Sequence, residues 1–154
     1  MELDPIADEL DMLVKEWRAK FLQQNESEMS IRPTPERWAI AEVLGHLIDS
    51  ANNNHQRFIR AQFSNELSFP KYDQKDWVQA AHYKSYSWAN LVELWCQYNC
   101  LVAHLIRNVP ASSLTTACTI EPYEPCTLGF LIEDYLVHLK HHLAIVDQRL
   151  SELG

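Results

Sequence analysis

Glycine is scarce in this chain, with 3 residues in 154 against about 7% in average usage. A β-protein built on glycine turns is excluded. Long apolar runs are missing too, since no stretch approaches the roughly 18 to 20 residues that a membrane helix needs. The amino-terminal Met1-Glu2-Leu3-Asp4-Pro5 has neither the basic head nor the apolar stretch of a secretory leader, and the expected location is cytoplasmic. Basic residues also fall short, 13 Lys and Arg against 21 Asp and Glu, for a net charge of −8. Such a field repels phosphate backbones and anionic lipid, so neither nucleic acid nor a membrane is an expected partner. Four cysteines, Cys96, Cys100, Cys118 and Cys126, would suffice for two bridges, but a reducing compartment predicts free thiols.

What is present is ordinary core material, 47% hydrophobic and 22% charged residues, in a length that fits one domain spanning 1–154. Apolar residues recur three and four apart in Ile6, Leu10, Leu13, Val14, Trp17 and Phe21, which predicts a first helix. Thr34-Pro35 offers a capping hydroxyl and a proline at the first helical position. A second helix is expected from there to about Phe63, about 40 Å long at 1.5 Å per residue. Ser64 to Lys71 reads as a loop and Asp73 to His82 as a short extra helix. Ser87 caps a third long helix, Trp88 to Asn108, with Leu91, Leu94, Trp95, Tyr98, Leu101, Val102 and Leu105 facing inward and Val109-Pro110 ending it. In the loop Ala111 to Cys126, Pro122 and Pro125 favour extended backbone. Thr127 then caps a fourth helix from Leu128 to about Glu152. Four long amphipathic helices and no convincing strand predict an all-α helical bundle.

The stretch with most chemical content is Asp134-Tyr135-Leu136-Val137-His138-Leu139-Lys140-His141-His142. His138 and His142, four apart, point the same way from consecutive turns, a spacing that suits a shared metal ion. Two ligands make a weak site and a third is needed. His46, in Leu44-Gly45-His46-Leu47-Ile48-Asp49 on the second helix, has apolar neighbours that turn it inward. His141 lies about 100° round the helix from His142 and ranks behind the 138/142 pair. Spacing alone leaves a second reading, a pair of hydrogen-bonded core histidines. His55, His82 and His104 read as surface or structural residues.

Together, Trp38-Ala39-Ile40-Ala41-Glu42-Val43-Leu44-Gly45-His46-Leu47-Ile48-Asp49-Ser50 and Asp134 to His142 resemble the DinB and YfiT-like superfamily of metal-dependent proteins. Tyr72-Asp73-Gln74 before Trp77, and Trp95 with Asn99, extend the resemblance over nearly the whole chain. It implies an antiparallel four-helix bundle with a long second crossover, carrying one divalent ion, nickel or zinc, on His46, His138 and His142. It further implies, for some members, transfer of a low-molecular-weight thiol to an electrophile. A homodimer is a further expectation from the family.

Three neutral nitrogen ligands leave an ion positive with an open position, which takes water or a thiol. Bound water would serve hydrolysis and a bound thiolate would serve transfer; the ligands alone do not choose, and thiol transfer is the expectation placed first. A second class of reading is a non-catalytic bundle that sequesters a small ligand. Around the triad, Asp134 stands one turn before His138, while Asp49, Ser50 and Asn53 continue the His46 face. Asp49 and Asp134 are candidates to orient a ligand or act as general base. Each has an alternative: Asp134 as an acid near a helix start, Asp49 as a partner of Arg57 or Lys140, Asn53 as a bond across the bundle. Tyr72, Asp73 and Trp77 are candidates for substrate contact from a lid, or else a connector whose rings finish the core. Cys96 and Cys100 read as core packing; Cys118 and Cys126 receive no role.

Overall fold

The computed structural model describes all residues, 1–154. Four long helices form the body: α1 (Asp4–Leu22), α3 (Ile40–Arg60), α5 (Trp88–Arg107) and α6 (Leu128–Leu153), with short helices α2 (Glu26–Met29) and α4 (Gln74–Ala81) between them. Ala7, Leu10, Val14, Trp17 and Phe21 give α1 its buried stripe, and Phe21 meets the edges of Trp88 and Trp95 on α5. On α3 every residue from Ile40 to Ala51 is buried, so this helix is central, and it positions the site. No helix is long and apolar enough to cross a membrane.

Side-chain pairs along the helices fix their directions. Asp8 and Asp11 meet Arg107 while Arg18 meets Glu93, so α1 and α5 are antiparallel. Trp38 meets Arg149 and Phe58 meets Tyr135, so α3 and α6 are antiparallel. Glu9 with Lys140 and Lys20 with Asp147 make α1 and α6 parallel. It follows that α3 and α5, which pack together, run the same way. Their connection therefore has to travel the length of the bundle, which is the long second crossover expected from the sequence.

That crossover contains a strand, and here the sequence reading is corrected. Residues 64–71 are not simply a loop: β1 (Glu66–Phe69) pairs in parallel with β2 (Ala117–Ile120), which pairs antiparallel with β3 (Cys126–Thr127). These strands are too short and isolated in sequence to show a period-2 pattern; they exist because the two long connections lie side by side and satisfy each other's backbone groups. Cys118 faces Cys126 across the β2–β3 pair, and all four cysteines are free.

The second helix also starts later than Thr34-Pro35 suggests. Residues 33–37 form turns, and α3 begins at Ile40. Glu42 sets that start: its carboxylate accepts the Ala39 backbone N–H and the 2.7 Å fork of Arg32. Arg32 and Thr34 both precede prolines and so avoid helical backbone. The caps expected at Ser87 and Thr127 are present, accepting from Asn90 and Phe130, while Asp73, read as the first residue of its helix, instead caps α4 by accepting from Asp76. On α5 the buried face is turned from the expected one: Val92, Cys96, Asn99 and Ala103 are inside while Leu94 and Leu101 are exposed.

Candidate metal centre and its cavity

Because α3 and α6 are antiparallel neighbours, His46 on one meets His138 and His142 on the other. One ligand nitrogen from each lies within 4.8 Å of the others. His46 Nε2 and His138 Nε2 are 3.2 Å apart, and two nitrogens bound to one tetrahedral zinc at 2.0–2.1 Å would be about 3.3 Å apart. His141 is exposed and remains outside the cluster.

Burial, reinforced by the neighbouring imidazoles, pushes His46 down to about 3 and His142 down to about 4. His138 is lowered by burial as well, with the Asp134 charge partly opposing the shift. All three rings are therefore neutral near pH 7, the state that metal ligation requires. His46 Nδ1 is buried without a hydrogen-bond partner. The donor set, its spacing and its protonation fit a first-row divalent cation.

Two of the three, His46 and His138, line a cavity of about 670 Å³, and His142 is off its wall. From α3 the wall receives His46, Ser50, Asn54 and Arg57; α6 contributes Leu131, Asp134, Tyr135 and His138, and the segment Lys71 to Lys75 lies opposite. Of the sequence candidates, Tyr72, Asp73 and Asp134 thus stand on the cavity wall with the histidines. Burial pushes the Tyr72 phenol up to about 12, so it is a hydrogen-bond donor at neutral pH.

Three candidates are placed elsewhere. Asn53 is buried and its amide donates to the Asp49 carbonyl one turn back on its own helix, 2.8 Å away; it neither lines the cavity nor bonds across the bundle. The residue that does line the cavity is its neighbour Asn54. Trp77 is not on the wall either; its ring packs on Tyr72 with centroids 5.0 Å apart, holding that side chain from behind. Asp49 pairs with neither Arg57 nor Lys140. Lys140 is taken by Glu9, and Asp49 accepts the phenol of Tyr83. Desolvation raises Asp49 to about 6, and the Tyr83 bond only partly opposes it. The Asp49 carboxylate is off the cavity wall.

Sequence reasoning missed Tyr83 and the role of Arg57. Helical offsets of 4, 8 and 11 from His46 place Ser50, Asn54 and Arg57 on one face, a signal that was available. Tyr83 follows a left-handed residue, His82, at φ 53°, and nothing in the spacing of the chain points it at α3.

A mostly helical bundle with three histidines meeting between two antiparallel helices has the architecture of a helical domain with a candidate metal site. The DinB superfamily model matches residues 2–146, and the chain belongs to that family. Its fold is similar to that of YfiT from Bacillus subtilis, described as a probable metal-dependent hydrolase with an unusual four-helix bundle topology. The TM-score is 0.81 at 21% identity, over 96% of this chain and 87% of that one. No curated protein matches the sequence significantly.

Proposed function

We propose that this protein is a metal-dependent enzyme that hydrolyses a small molecule, with His46, His138 and His142 holding one divalent ion, zinc or nickel. The observation that carries the reading is the position of the triad. Three neutral imidazoles converge, and two of them, His46 and His138, open onto a cavity lined mostly by polar residues. When bound, such an ion supplies Lewis acidity and lowers the pKa of a water or thiol towards neutrality.

The chain's own groups favour water as the activated species. Asp134 lies on the wall next to His138, close enough for its charge to raise the proton affinity of that ring. A carboxylate there can accept a proton from a nucleophilic water, whereas a thiol already ionised needs no base. Tyr72 keeps its proton and can donate to a developing oxyanion, and the Ser50 hydroxyl can orient the substrate. Thiol transfer is the second reading, supported by the cavity volume, which lies in the upper half of the usual range for ligand pockets and has room for a low-molecular-weight thiol beside its acceptor.

The test begins with elemental analysis of metal per chain, on protein purified without a nickel-leaching tag, beside His138→Ala. About one ion per chain in the wild type and loss of most of it in the variant is the expected result. The loaded protein is then assayed on an ester and amide panel, and on chlorodinitrobenzene with cysteine-based thiols. Hydrolysis lost on chelation supports the first reading, and metal-dependent thiol conjugation without hydrolysis replaces it by the second. No metal in either protein, even after incubation with zinc, nickel or manganese, sinks both.

A further inference from the structure

The cavity has a second end, and Arg57 is there. His46, Ser50, Asn54 and Arg57 form one ladder along α3, and eleven residues at 1.5 Å separate the Cα atoms of His46 and Arg57 by about 16 Å. Arg57 is 9% exposed, yet its Nε has no hydrogen-bond partner. None of the chain's ion pairs involves it. Its surroundings are the Phe69 ring, 5.1 Å from the guanidinium carbon, with Tyr72, Cys118 and Cys126 close enough to act on its charge. A buried guanidinium without a carboxylate is costly to the fold, and every other buried ionic group here except Arg149 is held by a side chain: Glu42 by Arg32, Asp49 by Tyr83. Arg149 donates to the Trp38 carbonyl. Arg57 alone is left without a polar partner, and it faces the cavity.

We infer that Arg57 anchors a carboxylate carried by the molecule that occupies this cavity. The planar fork of arginine matches a planar carboxylate in a two-point contact. A phosphate is less well matched, because Arg57, Lys71 and Lys75 on these walls are balanced by Asp73, Glu124 and Asp134, which leaves no net positive charge for a second negative one. The amino terminus of α4, which could otherwise help hold a phosphate, is already occupied by the Asp73 side chain. The ligand class is therefore an elongated monocarboxylate. That its reacting group lies at the histidine end rests on the function proposed above; the anchor itself does not.

Calorimetric titration with the alkanoates from butanoate to decanoate, the matching alcohols and the matching alkylphosphonates tests the anchor. The wild type, Arg57→Gln and Arg57→Met are each titrated zinc-loaded and after chelation, with zinc uptake measured on the same samples. In both metal states the best alkanoate should bind about tenfold or more tightly than its alcohol, as a charge-assisted fork requires, and the variants should lose that preference while binding the alcohol as before. Without ligand, Arg57→Met should melt at the same temperature as the wild type or higher, because it removes an unpaired buried charge. Equal affinity for acid and alcohol, a preference that survives in Arg57→Gln, or a tighter phosphonate each overturns the inference. So does a lower melting temperature or failure to fold in Arg57→Met, which would make the guanidinium a packing partner of Phe69. Absence of zinc with an arginine-dependent carboxylate preference removes the metal reading and keeps the anchor; zinc without that preference does the reverse.

Discussion

The ring of Tyr83 lies against Gly45 on α3, so close that a β-carbon at position 45 would overlap it. This contact holds the segment after α4 on the central helix, one residue from the His46 ligand. It also carries the Tyr83 phenol to Asp49, one turn further on. The glycine is thus needed for close approach and not for its backbone freedom, since it sits within regular helix.

Gly45→Ala should therefore destabilise the protein despite the better helix propensity of alanine. Overpacking of this kind costs about 1–3 kcal/mol, against a propensity gain of about 1 kcal/mol, and urea unfolding would read the net loss. Combining it with Tyr83→Ala, which clears the space, should cost less than the two single changes added together. Additive losses would mean that the ring moves aside freely.

Asp49 gives a pH signature. Its folded-state pKa, about 6, lies above the ordinary 3.8, so the folded protein binds that proton more tightly. Its contribution to stability is full below the ordinary value and is lost as the pH rises through about 6. In Asp49→Asn the amide oxygen still accepts from Tyr83 but nothing ionises. Unfolding free energies measured from pH 4 to 7 should lose this downward trend in the variant, which at pH 7 should be more stable by up to about 3 kcal/mol. Parallel curves for the two proteins would contradict this account of the carboxylate.

Much of this arrangement is legible in the sequence where a helix supplies the ruler. His138 and His142 are linked by a fixed spacing, and His46 follows once the apolar face of α3 is drawn. Ser87 and Thr127 announce their helices because capping is a local bond. What depends on two distant segments is not legible. Asn53 and Asn54, seven and eight residues after His46, both fall on the broad face a spacing argument draws from it, and only the packed direction of α3 decides that Asn54 meets the cavity while Asn53 turns to its own backbone. β1 and β2 have no signature because each is stabilised by the other. Tyr83 is brought to Asp49 by a left-handed turn at His82, a conformation uncommon enough in any residue but glycine that one histidine does not announce it.

Behind the cavity wall, which Tyr135 helps to form, Tyr135 and Asn99 make a polar pair in the core, the phenol donating to the amide oxygen while the amide donates to the Trp95 carbonyl. Both residues are nearly fully buried. Tyr135→Phe leaves the Asn99 oxygen without a donor, and its desolvation should cost about 1–3 kcal/mol in chemical unfolding. Replacing Asn99 by Leu in that background should recover part of the loss, because no polar group then remains to satisfy.

The two histidines that are adjacent in sequence provide the sharpest test of which imidazole belongs to the triad. His142 lies in the cluster and His141 is exposed, although both precede the same leucine. An ion present at about a hundred times its dissociation constant stabilises the fold by about 2.7 kcal/mol, which for a domain of this size raises the melting temperature by about 5–10 °C. Zinc should raise the melting temperature of His141→Ala by the same amount as the wild type, and chelation should reverse it. His142→Ala should show little or no shift, because two ligands remain where three are needed. If His141→Ala lost the shift and His142→Ala kept it, α6 would have to be rotated by about 100° from the position in which it buries Leu139, Leu143 and Val146. That rotation would expose the core face of the helix, so the packing of those three residues and the choice of ligand stand or fall together.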